Sequence, residues 1–240
     1  MFSEDVHVDP TLRSVWVAYP MKDRHDWETI IKPRLDPKSP GRFPMGEDLE
    51  QYARSVGDRD YPLSIQCDWA FYWEDMAGKA GPLCSPATYR RFVLPRLKHL
   101  AELLHAHGIR HIIVDSDGNS DVLIPLWLEV GVNGLRPFEV AAGCDPLAIR
   151  RKYGANLVIQ GGIDKRALAL GREAIEREVL SKVPWLCLQG GYFPQVDHLV
   201  PPDVSLENYC YYAQLLRAVV EDPERYLYQA RKRGFFEETA

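Results

Sequence analysis

Asp115-Ser-Asp-Gly-Asn119 places two carboxylates two residues apart, directly after the apolar run His111-Ile-Ile-Val114. Side chains at i and i+2 on leaving a strand point the same way, so Asp115 and Asp117 are expected to face one mouth. Carboxylates this close either repel, which raises one pKa for acid–base work, or share a cation. Gly118 then lets the backbone turn tightly. The competing reading is an Asp-rich turn that caps the helix after it.

The same pattern recurs along the chain. Glu74 and Asp75 follow the aromatic run Cys67–Trp73, and Glu139 follows Asn133–Phe138. Gly161-Gly-Ile-Asp164 follows Leu157–Ile159, and Gln195–Asp203 follows Tyr192-Phe193. That last loop carries His198 between Asp197 and the Pro201-Pro202 turn. An imidazole so placed suits a general acid–base or a metal ligand. Asp115, Asp117, His198 and Glu74 are therefore the candidate catalytic residues. Asp115, Asp117 and His198 also form the candidate set for a divalent metal, zinc or another. Asp164, Gly161, Gly162, Glu139 and Asn119 are candidates for holding a substrate. The paired glycines permit close backbone approach to a ligand, although turn geometry alone also explains them. The histidines at 99, 105, 107 and 111 read as surface or packing residues.

These residues need a frame that brings strand ends together. Pro86 opens a helix with apolar residues at Phe92, Leu97, Leu100, Leu103 and Leu104, kinked at Pro95 and ended by Gly108. Asp121–Val130 reads as a helix, and Asp145-Pro146 starts another that runs to Tyr153. Glu173–Leu188 is helical with a disturbance at Pro184, and Ser205 begins a last helix carrying Tyr209, Tyr212, Leu215, Leu216 and Val219. Strands alternating with helices predict parallel β/α units, with every strand–helix loop on one edge. The expected class is α/β, of TIM (β/α)8-barrel type and shortened, with the active site at the C-terminal strand ends. Residues 67–240 form this domain. Residues 1–66, rich in Pro and charge, are an irregular segment expected to pack on it, with a short strand at Val15–Tyr19 and a helix over Arg24–Ile31.

The 240 residues are 46% hydrophobic and 26% charged, with a net charge of −5. Nothing in that balance favours nucleic acid or an anionic membrane. No apolar stretch approaches the roughly 18–20 residues of a membrane span, and the polar, acidic start lacks a signal-peptide pattern. Five widely spaced cysteines without a CxxC suggest reduced thiols of a cytoplasmic protein. No GxGxxG or P-loop occurs.

Trp73-Glu-Asp-Met-Ala-Gly-Lys79, Ser85-Pro through Phe92-Val-Leu-Pro95, and Asp115–Asn119 resemble the uroporphyrinogen decarboxylase superfamily. So do Gly131–Gly134, Gly161–Lys165 and Asp197–Asp203. The resemblance implies a TIM barrel. It also implies one of two chemistries: cofactor-free decarboxylation of a tetrapyrrole-related or smaller substrate, or zinc-dependent methyl transfer with a corrinoid protein as partner. The arginine-rich substrate segment and central aspartate of the decarboxylases have no counterpart here. The methyltransferases' His-x-Cys pair falls at Asp115-Ser-Asp117, and their later zinc cysteine falls near His198. A carboxylate and imidazole set prefers a harder ion, or zinc bound through N and O. A shortened barrel leaves sheet edges to cover, so a homo-oligomer, or a non-catalytic assembly module, is also expected.

Overall fold

The computed structural model describes residues 24–26, 28, 29, 32–34 and 69–237. The chain divides into two compact units, residues 1–60 and 61–240. In the first, short helical pieces span Arg24–Asp26 and Lys32–Arg34. The first falls within the helix expected over residues 24–31, and the second lies beyond it. The strand expected at Val15–Tyr19 lies outside the described residues, as does the start of the run at Cys67.

In the second unit, β1 (Trp69–Trp73) is followed by a small antiparallel hairpin, β2 (Ala77–Gly78) and β3 (Gly81–Pro82). Then come β4 (His111–Asp115), β5 (Gly134–Arg136), β6 (Val158–Gln160) and β7 (Tyr192–Phe193). The sheet order is β1-β4-β5-β6-β7, and every pairing within it is parallel. This is the α/β architecture with parallel strands that the alternating pattern predicts. The register aligns Trp73 with Asp115 and Asp115 with Arg136, so three strand ends meet at one level.

Strand alternation divides the side chains cleanly. Ile112, Val114, Leu135 and Ile159 enter the hydrophobic core against the helices. Trp69, Ile113, Val158 and Phe193 face the other way and line a mostly apolar cavity of about 560 Å³ with His111. Helix Pro86–Phe92 is capped by Ser85, whose Oγ accepts from Thr88 N. Asp145 caps Pro146–Tyr153 and Ser205 caps Leu206–Glu221, both as their sequence signatures predict.

Several expectations need correction. Pro95 does not kink one helix; it lies in the first turn of a second, Leu94–Ala106, after a break at Val93. A proline lacks the N–H that a continuing helix needs, whereas a first turn does not use it. That helix buries Leu94, Leu97 and Ala101, while Phe92, Leu100 and Leu103 are exposed. The helix expected over Asp121–Val130 begins only at Ile124, with Pro125 in its first turn. The stretch 173–188 is two helices, Arg172–Leu180 and Val183–Gln189, again divided where a proline enters a first turn. The β2–β3 hairpin, helix Lys165–Ala169 and helix Pro223–Lys232 were not anticipated.

Candidate active site

The strand ends of β1, β4 and β5 and the loop after β7 surround a cavity of about 490 Å³. Its described lining includes Asp115, Asp117 and His198 together with Trp73, Asp75, Arg136 and Gln195. Three of the four candidate catalytic residues thus converge. Glu74 does not line this cavity. Alternation puts Trp73 and Asp75 on the cavity side, and Glu74 with Tyr72 on the helix side. The charge of Glu74 acts on Tyr72 and Tyr89, and burial raises its own carboxyl above the ordinary range, with Asp75 adding to the rise.

Asp115 and Asp117 share the cavity but not an environment. Asp115 Oδ2 accepts a 2.8 Å hydrogen bond from Trp73 Nε1 and lies 3.3 Å from Arg136 Nε. Burial raises the Asp115 carboxyl; Arg136 and Trp73 oppose that rise, and Asp117 and Asp75 add to it. Asp117 is half-exposed, and its Oδ2 lies 3.3 Å from His198 Nε2. Its own backbone N–H donates to Asp75 Oδ1 at 3.2 Å. The first aspartate is therefore committed to a guanidinium and an indole, and the second to an imidazole at the mouth.

The candidate substrate residues turn out to brace the loops. Glu139 Oε2 accepts from Gly118 N at 3.1 Å, and its Oε1 lies 3.6 Å from Lys165 Nζ. Asn119 Nδ2 donates to Ala142 O at 3.3 Å, while Asn119 N donates to Gly78 O in the hairpin. Asp164 caps helix Lys165–Ala169 and grips Arg166 through both oxygens. Burial raises the Asp164 carboxyl, but the Arg166 bonds outweigh it and hold the group below its usual value. Gly161 and Gly162 are buried where the backbone passes Pro137, with Gly162 N donating to Pro137 O. None of these five is among the described residues that line the cavity.

Beneath the loops sits Asp197, which is 0% exposed. Its carboxylate accepts from Val140 N at 2.8 Å and Lys165 N at 3.1 Å, and lies 3.5 Å from Lys165 Nζ. Through Lys165 and Glu139 this buried charge ties together the loops after β4, β5, β6 and β7. It fixes the residue next to His198 and, at the other end, the backbone next to Asp117. Removing one partner of a buried pair leaves the other without its counter-charge. Asp197→Ala is accordingly expected to destabilise the fold by about 3 kcal/mol, measured by urea denaturation.

Sequence reasoning missed Arg136, Trp73 and Asp75 as lining residues. The period of two, carried along β1 and past its end, selects Trp73 and Asp75. Trp69, Phe71, Trp73 and Asp75 share one side of β1 and its extension, as Gly134 and Arg136 do in β5. His105, one of the histidines expected to pack or lie at the surface, bonds Ile109 O at 2.8 Å and Gly131 O at 3.1 Å. Among the described residues, Cys84, Cys144, Cys187 and Cys210 are free thiols. Burial pushes the Cys144 thiol up to about 12. No described helix is long and apolar enough to cross a membrane.

The candidate metal set of Asp115, Asp117 and His198 is divided between two partners. Among the described residues no group of three His, Cys, Asp or Glu side chains is placed to hold a metal ion. Asp117 and His198 face each other, but Asp115 already has Arg136 beside it, and a guanidinium repels a second cation.

The family profile described as uroporphyrinogen decarboxylase (URO-D) matches residues 71–219. Two curated relatives are both named uroporphyrinogen decarboxylase, from Legionella pneumophila strains Paris and Corby. Each is 26% identical over 149 residues. That stretch is 61% of this chain and 40% of each relative's own length. The matched residues run from β1 through helix Leu206–Glu221 and contain every strand end that builds the cavity. With a parallel β/α sheet and its polar residues at the strand ends, the chain belongs to the uroporphyrinogen decarboxylase family.

Proposed function

We propose that this chain carries the active site of a carboxy-lyase, in which the Asp117–His198 pair moves the proton that decarboxylation requires. One observation carries the reading: a carboxylate and an imidazole lie 3.3 Å apart at the mouth of the strand-end cavity. A His restrained by a carboxylate through one ring nitrogen keeps the other for proton exchange with substrate. When the carboxylate's C–C bond breaks, CO2 leaves and the electron pair stays on carbon. His198 then delivers a proton to that carbon, and solvent at the mouth returns one to the imidazole. The substrate must supply its own electron sink, since this step uses none from the protein.

The cavity's charges argue for a compact substrate rather than a whole porphyrinogen. Its described wall carries Asp75, Asp115 and Asp117 against the single guanidinium of Arg136. A volume of about 490 Å³ falls within the range of small-molecule sites. The name of the relatives supports decarboxylation as the reaction type, and the divided donor set gives no support to corrinoid-linked methyl transfer. The test is release of labelled CO2 from a panel of carboxyl-labelled heteroaromatic and β-keto acids by the purified full chain. Release that survives a chelator is the expected result. Methyl transfer from a methylated corrinoid, with no CO2 from any acid, would overturn the reading.

A further inference from the structure

Arg136 is the only Lys or Arg among the described residues that line the cavity. It sits at the end of β5, its guanidinium carbon 5.6 Å from the Phe71 ring centroid. Asp115 is its only ion-pair partner among the described residues, and approaches it along the Nε edge at 3.3 Å. Nε itself is buried and makes no hydrogen bond. The guanidinium has a second edge, formed by its two terminal amino groups, whose geometry matches a carboxylate bidentately. Trp73 stands beside it in the same wall. The indole N–H is spent on Asp115 and the residue is 77% exposed, which leaves a flat ring face for a planar ligand.

We propose that Arg136 anchors the carboxylate of a small planar substrate, with Trp73 supporting its ring, and that the surrounding aspartates exclude polyanions. The inference rests on the cavity being the active site and names the class of substrate it takes. Asp115 orients the fork and is a positioning residue. Asp75 and Asp117 meet any second or third carboxylate with like charge.

The probes are benzoate, its neutral isostere benzamide, and benzene-1,3,5-tricarboxylate, titrated into the full chain by calorimetry at low ionic strength. Benzoate is expected to bind about tenfold or more tightly than benzamide, because one charged hydrogen-bonded contact is lost. The tricarboxylate is expected to bind no more tightly than benzoate. Arg136→Gln is expected to weaken benzoate about tenfold or more. Arg136→Lys, which keeps the charge and loses the fork, is expected to fall between and covers a Gln variant that fails to fold. Equal affinity for benzoate and benzamide, or undiminished benzoate binding by folded Arg136→Gln or by Arg136→Lys, would overturn the anchor. A clear preference for the tricarboxylate would overturn the exclusion of polyanions. Because these are binding data, they decide the anchor whether or not CO2 is released, so its failure is distinct from failure of the acid–base reading.

Discussion

Gly161→Ala is expected to cost about 3 kcal/mol or more of folding stability, from a positive-φ penalty plus overpacking. Gly161 has φ +111°, a conformation that L side chains rarely adopt, and a Cβ there would lie 1.9 Å from Pro137 O. The obstacle is backbone, so no side-chain rotation relieves it. Pro137 follows Arg136 and lines the cavity itself. Relief of the clash therefore moves the end of β5 against β6 and displaces the guanidinium. Chemical denaturation reads the stability, and a lowered midpoint with loss of benzoate binding is the expected outcome. Gly118 makes a comparable demand at the other side of the cavity: at φ +74° its added Cβ would lie 2.5 Å from Gly78 O. A Gly161→Ala protein as stable as the wild type would mean that the β5–β6 approach is not held as described.

His198→Gln is expected to slow CO2 release by about a hundred- to ten-thousand-fold, the usual worth of a positioned general acid. KM should change little, because the substrate's anion is held by Arg136 and not by the imidazole. Stability should also change little. His198 is surface-exposed, its side chain 37% accessible, and its partner Asp117 is more open still. Ion pairs so exposed contribute at most about 1 kcal/mol. A fall confined to kcat is thus separable from misfolding. A rise in KM with kcat unchanged would make His198 a binding residue and remove the proton-transfer role.

Much of this site was legible in the chain, and the reason is periodicity. Two carboxylates at i and i+2 after a buried strand reach the same cavity because side chains alternate, and Asp115 and Asp117 do so. Caps were legible because Asp145 and Ser205 stand where first-turn N–H groups need acceptors. The same alternation, carried from Trp73 past the end of β1, selects Asp75 for the cavity and not Glu74. Arg136 was invisible for another reason: an arginine inside an apolar run carries no signal until the register with Asp115 and the Phe71 ring beside it are known. In sequence the buried Asp197 is one more loop carboxylate beside His198. Its role depends on contacts with Val140 and Lys165 that are far apart in sequence. Pro95 and Pro184 interrupt helical patterns because each lies in the first turn of a new helix.

The most direct test of the central claim is a double-mutant cycle on CO2 release with Asp117→Asn, His198→Gln and the pair together. Groups that act as one unit are non-additive. If Asp117 works through His198, the double variant will be no slower than His198→Gln alone. Effects that multiply, or an Asp117→Asn protein with wild-type turnover, would contradict the pairing on which the proposed mechanism stands.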